Sequence, residues 1–171
     1  MIQTWLDVIC QLSSRIRHRC HGWPARASFA CLLLAALACN CVGNRPALQS
    51  NEVLDREQQA EAALVKHILI GWRDLEKYYD TRMDPRARQR HEGEANALVR
   101  EIVGKLENGM PIEALMVEYS EDPGSQGGRA YEVRDGDSKA REFRALSLRL
   151  QVGEIGVVRT RFGWHIVKRI Q

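Results

Sequence analysis

The chain has 171 residues, 44% of them hydrophobic and 6% aromatic, with 25 Lys and Arg against 22 Asp and Glu. That apolar share is enough for a packed core, so a wholly disordered chain is excluded, and the length fits one domain with an appendage. No stretch reaches the roughly 18 consecutive apolar residues that a membrane-spanning helix needs.

The averages conceal a division. All five cysteines (Cys10, Cys20, Cys31, Cys39 and Cys41) fall in the first 41 residues. The rest of the chain therefore has no disulfide and no cysteine-based zinc site. Residues 1–39 carry four arginines against Asp7 alone and so hold the whole net charge of +3. Residues 40–171 hold 21 charges of each sign. The basic character belongs to the leader, and a nucleic-acid-binding role loses its main support.

Residues 1–39 read as an export signal. An arginine-bearing segment precedes an apolar run at 27–38, Ala-Ser-Phe-Ala-Cys-Leu-Leu-Leu-Ala-Ala-Leu-Ala. As a helix it rises only about 18 Å, short of a bilayer core, and small residues follow it, as in a secretory signal. Its exit, Ala36-Leu37-Ala38-Cys39, resembles a bacterial lipobox, with Leu37 one place later than that pattern prefers. The resemblance implies lipidation of Cys39 and, with Asn40 rather than an acid after it, residence at the outer membrane. A plain cleaved signal peptide and an uncleaved anchor are the other readings.

Residues 40–61 are polar, with Gly43, Pro46 and the run Asp55-Arg56-Glu57-Gln58-Gln59, and read as a tether ending in a first helical turn. The domain is expected over 62–171. Val65 to Ile70 is a β-rich run closed by Gly71. The loop after it mixes Arg73, Arg82, Arg86, Arg88 and Arg90 with Asp74, Glu76, Asp80 and Asp84, and reads as solvated. From Ala87 to Asn108 the apolar residues Ala95, Leu98, Val99, Ile102, Val103 and Leu106 recur at helical spacing. Pro111–Tyr119 reads as a short helix and Ser120–Gly128 as a loop. A short strand is expected at Ala130–Val133, a helix at Lys139–Leu150, and strands at Ile155–Arg159 and Trp164–Ile170. Helices set against a mostly antiparallel sheet make the fold class α+β.

Four segments then stand out together. Lys66-His67-Ile68-Leu69-Ile70 opens the domain and Phe162-Gly163-Trp164-His165-Ile166-Val167 closes it. Between them lie Tyr119-Ser120-Glu121-Asp122-Pro123-Gly124-Ser125 and Leu150-Gln151-Val152-Gly153-Glu154-Ile155. In this order and over about 110 residues of the chain they resemble the motifs of parvulin-type peptidyl-prolyl isomerases of the bacterial exported kind. The resemblance implies a four-stranded antiparallel sheet surrounded by three to four helices. It implies catalytic positions at His67, Asp122 and His165, and a proline pocket at Phe143 and Phe162. The pocket positions that depart from the family fall on Ala130, where it has leucine, and on Ser138 or Lys139, where it has methionine. Tyr131 stands where the family has glycine.

The implied reaction is modest. Rotation about an Xaa–Pro bond faces a barrier of about 20 kcal/mol and takes tens of seconds unaided. No bond is made or broken, so neither cofactor nor metal is expected. The expected partners are proline-containing unfolded or exported polypeptides, together with a membrane through the lipid anchor. The alternatives are a parvulin-like peptide-binding module with weakened catalysis, or a scaffold subunit of an envelope complex.

Overall fold

A computed structural model describes residues 47–80 and 82–171. The leader with Cys39, and the tether up to Pro46, lie outside the described residues. The chain runs through α1 (Asn51–Leu54), β1 (Ala62–Ile70), a 3-10 helix (Arg73–Tyr78), α2 (Pro85–Gln89), α3 (Glu92–Glu107) and α4 (Ile112–Tyr119). It continues through β2 (Tyr131–Arg134), α5 (Arg141–Arg149), β3 (Ile155–Thr160) and β4 (Gly163–Arg169). The four strands form one antiparallel sheet in the order β2-β1-β4-β3, so the first and last long strands lie side by side at its centre. The fold is α+β, as the pattern implies. No helix among the described residues is long and apolar enough to cross a membrane.

Strand periodicity divides the sheet into two faces. Ile68 and Ile70 of β1, with Trp164 and Ile166 of β4, join Val99, Ile102 and Leu115 of α3 and α4 in a closed core. In α3, Ala95, Val99, Ile102 and Leu106 are buried at i, i+4, i+7 and i+11, one stripe of the helix. Gly109, at φ 87°, ends that helix: its N–H and that of Met110 donate to the carbonyls of Leu106 and Lys105. On the opposite face Ala63 and Val65 pack with Phe143, Leu146 and Leu150 around α5.

Two elements differ from the pattern read in the sequence. The helix expected from Ala87 to Asn108 is two helices, broken where Arg90 is extended (φ −102°, ψ 139°). His91 begins the second helix with a capping box, its N–H donating to Glu94 Oε2 at 2.7 Å. Part of the stretch expected to be a tether is packed. Ser50 N–H donates to the Val157 carbonyl and Val157 N–H to Ser50 Oγ, both at 2.9 Å. Val53 of α1 is buried against the α5 side, and Arg56 makes a bidentate pair with Glu154, both contacts 2.7 Å. One buried valine and a bidentate ion pair hold a segment whose composition is otherwise that of a linker.

The β3–β4 hairpin turns at Arg161 and Phe162 and enters β4 at Gly163, φ 131°. A Cβ there would run into the carbonyl oxygen of Ile70. Glycine is what lets β4 begin hard against the end of β1, and this sets the registry that pairs Leu69 with His165.

Candidate active site

The odd-numbered residues of β1 face α5, so His67 and Leu69 continue the row of Ala63 and Val65 beyond the part that α5 covers. His165 lies opposite Leu69, one diagonal step from His67 on the same face. The two imidazole centroids are 5.4 Å apart. Phe143, from the first turn of α5, stands 5.0 Å from the His67 ring and 5.1 Å from the His165 ring. Tyr131, the first residue of β2, closes the cluster 5.1 Å from His67.

The loop that brings Asp122 to this cluster is clamped to β1. Glu121 N–H donates to the Leu69 carbonyl at 2.9 Å, and Leu69 N–H to Ser120 Oγ at 3.2 Å. The buried Glu121 carboxylate accepts from Gly71 N–H and from Arg90, each at 2.6 Å. Burial raises the Glu121 carboxyl from its ordinary value, while those two donors pull it back. Arg86 reaches the carbonyls of Glu118 and Ser120, both at 2.9 Å. Two arginines of the stretch expected to be solvated thus hold the loop. Their role is invisible in a sequence where they sit among acids.

Asp122 then meets His67: Nε2 lies 2.9 Å from Oδ2. Tyr131 donates its hydroxyl to the same oxygen at 3.0 Å, and Gly124 N–H donates to Oδ1 at 3.2 Å. A side chain at residue 124 would collide with the Tyr131 hydroxyl, so Gly124 is the space the tyrosine uses. On the other histidine, Nε2 lies 2.9 Å from Thr160 Oγ1, which also accepts from Phe162 N–H at 3.1 Å. Because a carboxylate only accepts, His67 is assigned the tautomer with its proton on Nε2.

Both Nδ1 atoms are buried without a hydrogen-bond partner. Protonating either would create a charged donor with nothing to receive it. Burial accordingly lowers His67 to about 4, with Asp122 opposing the shift, and holds His165 well below the ordinary value, helped by His67. Both rings are neutral near pH 7. The contact with Asp122 is a hydrogen bond to a carboxylate and not an ion pair. Burial, with Asp122 next, raises the Tyr131 phenol to about 12, so it stays a donor.

Over these groups lies an open groove of about 420 Å³. His67, Asp122, His165, Phe143, Phe162 and Lys139 all line it. Ala130 and Ser138, expected as pocket residues, do not: Ala130 is half-buried off its wall and Ser138 faces solvent. After the turn at Gly136 (φ 84°) Ser138 is exposed, and the wall is made by Lys139 and Ala140. The Lys139 ammonium is drawn to Asp137 at 2.8 Å. Leu69, Tyr79 and Tyr131 complete the apolar lining; Tyr79 donates to the Phe162 carbonyl, and its ring meets the Phe162 ring edge-on at 5.6 Å. Among the described residues no three His, Cys, Asp or Glu side chains group as a metal site.

An apolar groove floored by two neutral imidazoles, one of them bonded to the Asp122 carboxylate, can hold a small ring and a neighbouring carbonyl. Comparison with known proteins agrees with that description. The foldase protein PrsA of Geobacillus kaustophilus is 34% identical over 111 residues, 62% of this chain and 38% of that protein. The chaperone SurA of Chromohalobacter salexigens is 36% identical over 107 residues, 61% of this chain and 21% of that one. The chain thus spans well under half the length of these curated relatives. Among solved structures, the peptidyl-prolyl isomerase ESS1 from Candida albicans superposes with a TM-score of 0.54 at 18% identity, over 65% of this chain and 63% of that one. The solution structure of TbPIN1 gives 0.55 at 18% identity, over 65% and 98%. At such identities these two likenesses establish the fold. The model of the PPIC-type PPIase domain matches residues 51–171. That match starts at α1, ends on the last residue and takes in both histidine strands, and the chain belongs to the PPIC-type PPIase domain family.

Proposed function

We propose that this protein is a peptidyl-prolyl cis-trans isomerase that assists the folding of exported polypeptides. The observation that carries the reading is the neutral histidine pair, with Asp122 and Phe143, at the floor of one open apolar groove. In the planar amide, resonance places negative charge on the carbonyl oxygen and positive charge on nitrogen; the twisted amide has lost both. A groove walled by Phe143, Phe162, Leu69 and Tyr131 solvates the planar, dipolar form poorly. The Asp122 carboxylate at its side disfavours negative charge on a nearby carbonyl oxygen. Both effects favour the twisted state over the ground state, which is what accelerates rotation. A roughly 10⁵-fold acceleration requires about 7 kcal/mol of such preference. Phe143 and Phe162 take the proline ring, and His67 and His165 keep the floor neutral and fixed in shape.

The leader supports an address. A signal of lipoprotein type over 1–39, with Cys39 lipidated, would place the domain in the cell envelope on a lipid anchor at the outer membrane. Incorporation of a fatty-acid label into the protein, abolished by Cys39→Ala, tests that part alone.

The activity is tested by NMR exchange on Xaa-Pro peptides, with a His67→Ala/His165→Ala variant as control. Cis/trans exchange well above the control is expected. Peptide resonances that shift on titration without faster exchange would replace the isomerase by a peptide-binding module. Neither effect would leave a scaffold role.

A further inference from the structure

On the opposite side of α5 from Phe143 and Leu146 lies a second recess, of about 240 Å³, walled by Gln59, Asp135, Arg141, Arg144, Leu148 and Arg149. Three of these are arginines at i, i+3 and i+8 of one helix; among the described residues none makes an ion pair, and the one further carboxylate acting on Arg144, Asp137, is itself paired with Lys139. Two are held by backbone carbonyls. Arg144 donates from Nη1 to the carbonyls of Asp137 and Lys139, each at 2.6 Å, and its Nε is buried without a partner. Arg149 donates to the carbonyls of Arg56 at 2.8 Å and Ala145 at 3.1 Å. Arg141 is exposed, with no bond to any described residue. The only counter-charge in the wall is Asp135, which accepts from Gly136 N–H at 3.0 Å. Guanidinium groups held in place by carbonyls, with an excess of positive charge, make a receptor for an oxyanion.

The position of the recess says which oxyanion. By holding the carbonyls of Asp137 and Lys139, Arg144 fixes the stretch that forms the groove wall at Lys139 and Ala140. The two cavities therefore share a partition, the first turn of α5. Ala140 to Arg144 is one turn, a rise of about 6 Å, and an extended polypeptide covers about 3.3 Å per residue. A chain that leaves the groove across this partition comes over the arginines within about three to five residues, counting the width of the helix. The recess is concave, a shape for one side chain and not for a flat anionic surface, and its three arginines outweigh Asp135.

We infer that the recess is a second contact for the polypeptide in the groove, taking a Glu or Asp side chain about three to five residues from the proline. This rests on the groove being the peptide site.

The test uses the whole protein and matched peptides with one Xaa-Pro core. Glu or Gln stands four residues before the proline in one pair and four residues after it in another. Affinity is read from chemical-shift titration. One Glu peptide is expected to bind about threefold to tenfold more tightly than its Gln partner at low salt, shifting the resonances of Arg141 and Arg144. That advantage is lost in Arg141→Gln, kept in Arg141→Lys, and weakened by added salt. Equal affinities of both pairs in the unmodified protein overturn the inference, as does an advantage that survives Arg141→Gln. Equal peptides together with Arg141-dependent binding to phosphatidylglycerol vesicles would overturn it in favour of a membrane contact. The two readings fail separately: absent catalysis with the Glu advantage intact removes the isomerase and keeps the recess, whereas binding of neither peptide removes both.

Discussion

The two faces of the sheet are built from alternate residues of the same strands and have opposite properties. Even positions of β1 and β4 (Ile68, Ile70, Trp164 and Ile166) meet α3 and α4 in a dry, closed layer. Odd positions (His67, Leu69 and His165) are covered by α5 only as far as Phe143 and beyond it line an open groove. One face supplies rigidity, and the other spends part of it on buried polar groups whose Nδ1 atoms have no partner. Period-two alternation thus lets one strand serve stability and the site at once, with little interference between them.

That separation can be broken most severely on the closed face. Ile102→Ala removes a side chain with no solvent exposure from the α3 layer, and a loss of about 2–5 kcal/mol is expected in urea unfolding. Peptide exchange per folded molecule should be nearly unchanged. A comparable loss of exchange would show that the faces are coupled.

The open face gives the next effect, through pH. An imidazole in the unfolded chain takes its proton near 6.5, whereas buried His67 does so only near 4. Between those values the unfolded chain binds the extra proton, so its population gains and stability falls as the pH drops from 6.5 to about 4, levelling below that. The size is roughly 3 kcal/mol for His67, and His165, shifted in the same direction, adds to it. The difference in urea midpoint between the protein and a His67→Gln/His165→Gln variant, followed from pH 7.5 to 4, isolates this from the carboxylates. A constant difference would sink the assignment of both rings as neutral.

The smallest effect sharpens the comparison inside the site. Tyr131→Phe keeps the ring in the groove and removes the hydroxyl from Asp122, at an expected cost of about 1 kcal/mol in stability. Exchange should drop several-fold with a larger change in the maximal rate than in the peptide affinity, because the ring still packs. A drop in affinity with the maximal rate unchanged would make Tyr131 part of the binding wall alone.

Legibility in the sequence followed interaction range. The strands with His67 and His165, the stripe of α3 and the turn residues at Asn108-Gly109 were readable, because alternation, helical spacing and glycine stops are local signals. The bond between His67 and Asp122, 55 residues apart, entered only through resemblance. The Arg86 and Arg90 clamp was unreadable. An arginine among acids looks solvated until the fold delivers Glu121 and two carbonyls to it. Ala130 was placed by its distance from the Gly127-Gly128 pair and Ser138 or Lys139 by distance from Gly136, whereas the folded wall is made by Lys139 and Ala140. Val53 shows the same limit from the other side: a single apolar residue in polar company gives no period to detect.

The pairing of Ser50 with Val157 carries a consequence for handling unfolded chains. β3 is an outer strand, and an outer strand with free N–H and C=O groups is a template for any extended polypeptide. A protein whose groove collects such polypeptides would offer them a second, unproductive place to dock. Gln49 and Ser50 occupy that rim: Ser50 takes both polar groups of Val157, and Gln49 Oε1 accepts from Arg159 N–H at 3.4 Å. The segment before β1 therefore caps this edge of the sheet at Val157 and Arg159, where a further strand would otherwise pair.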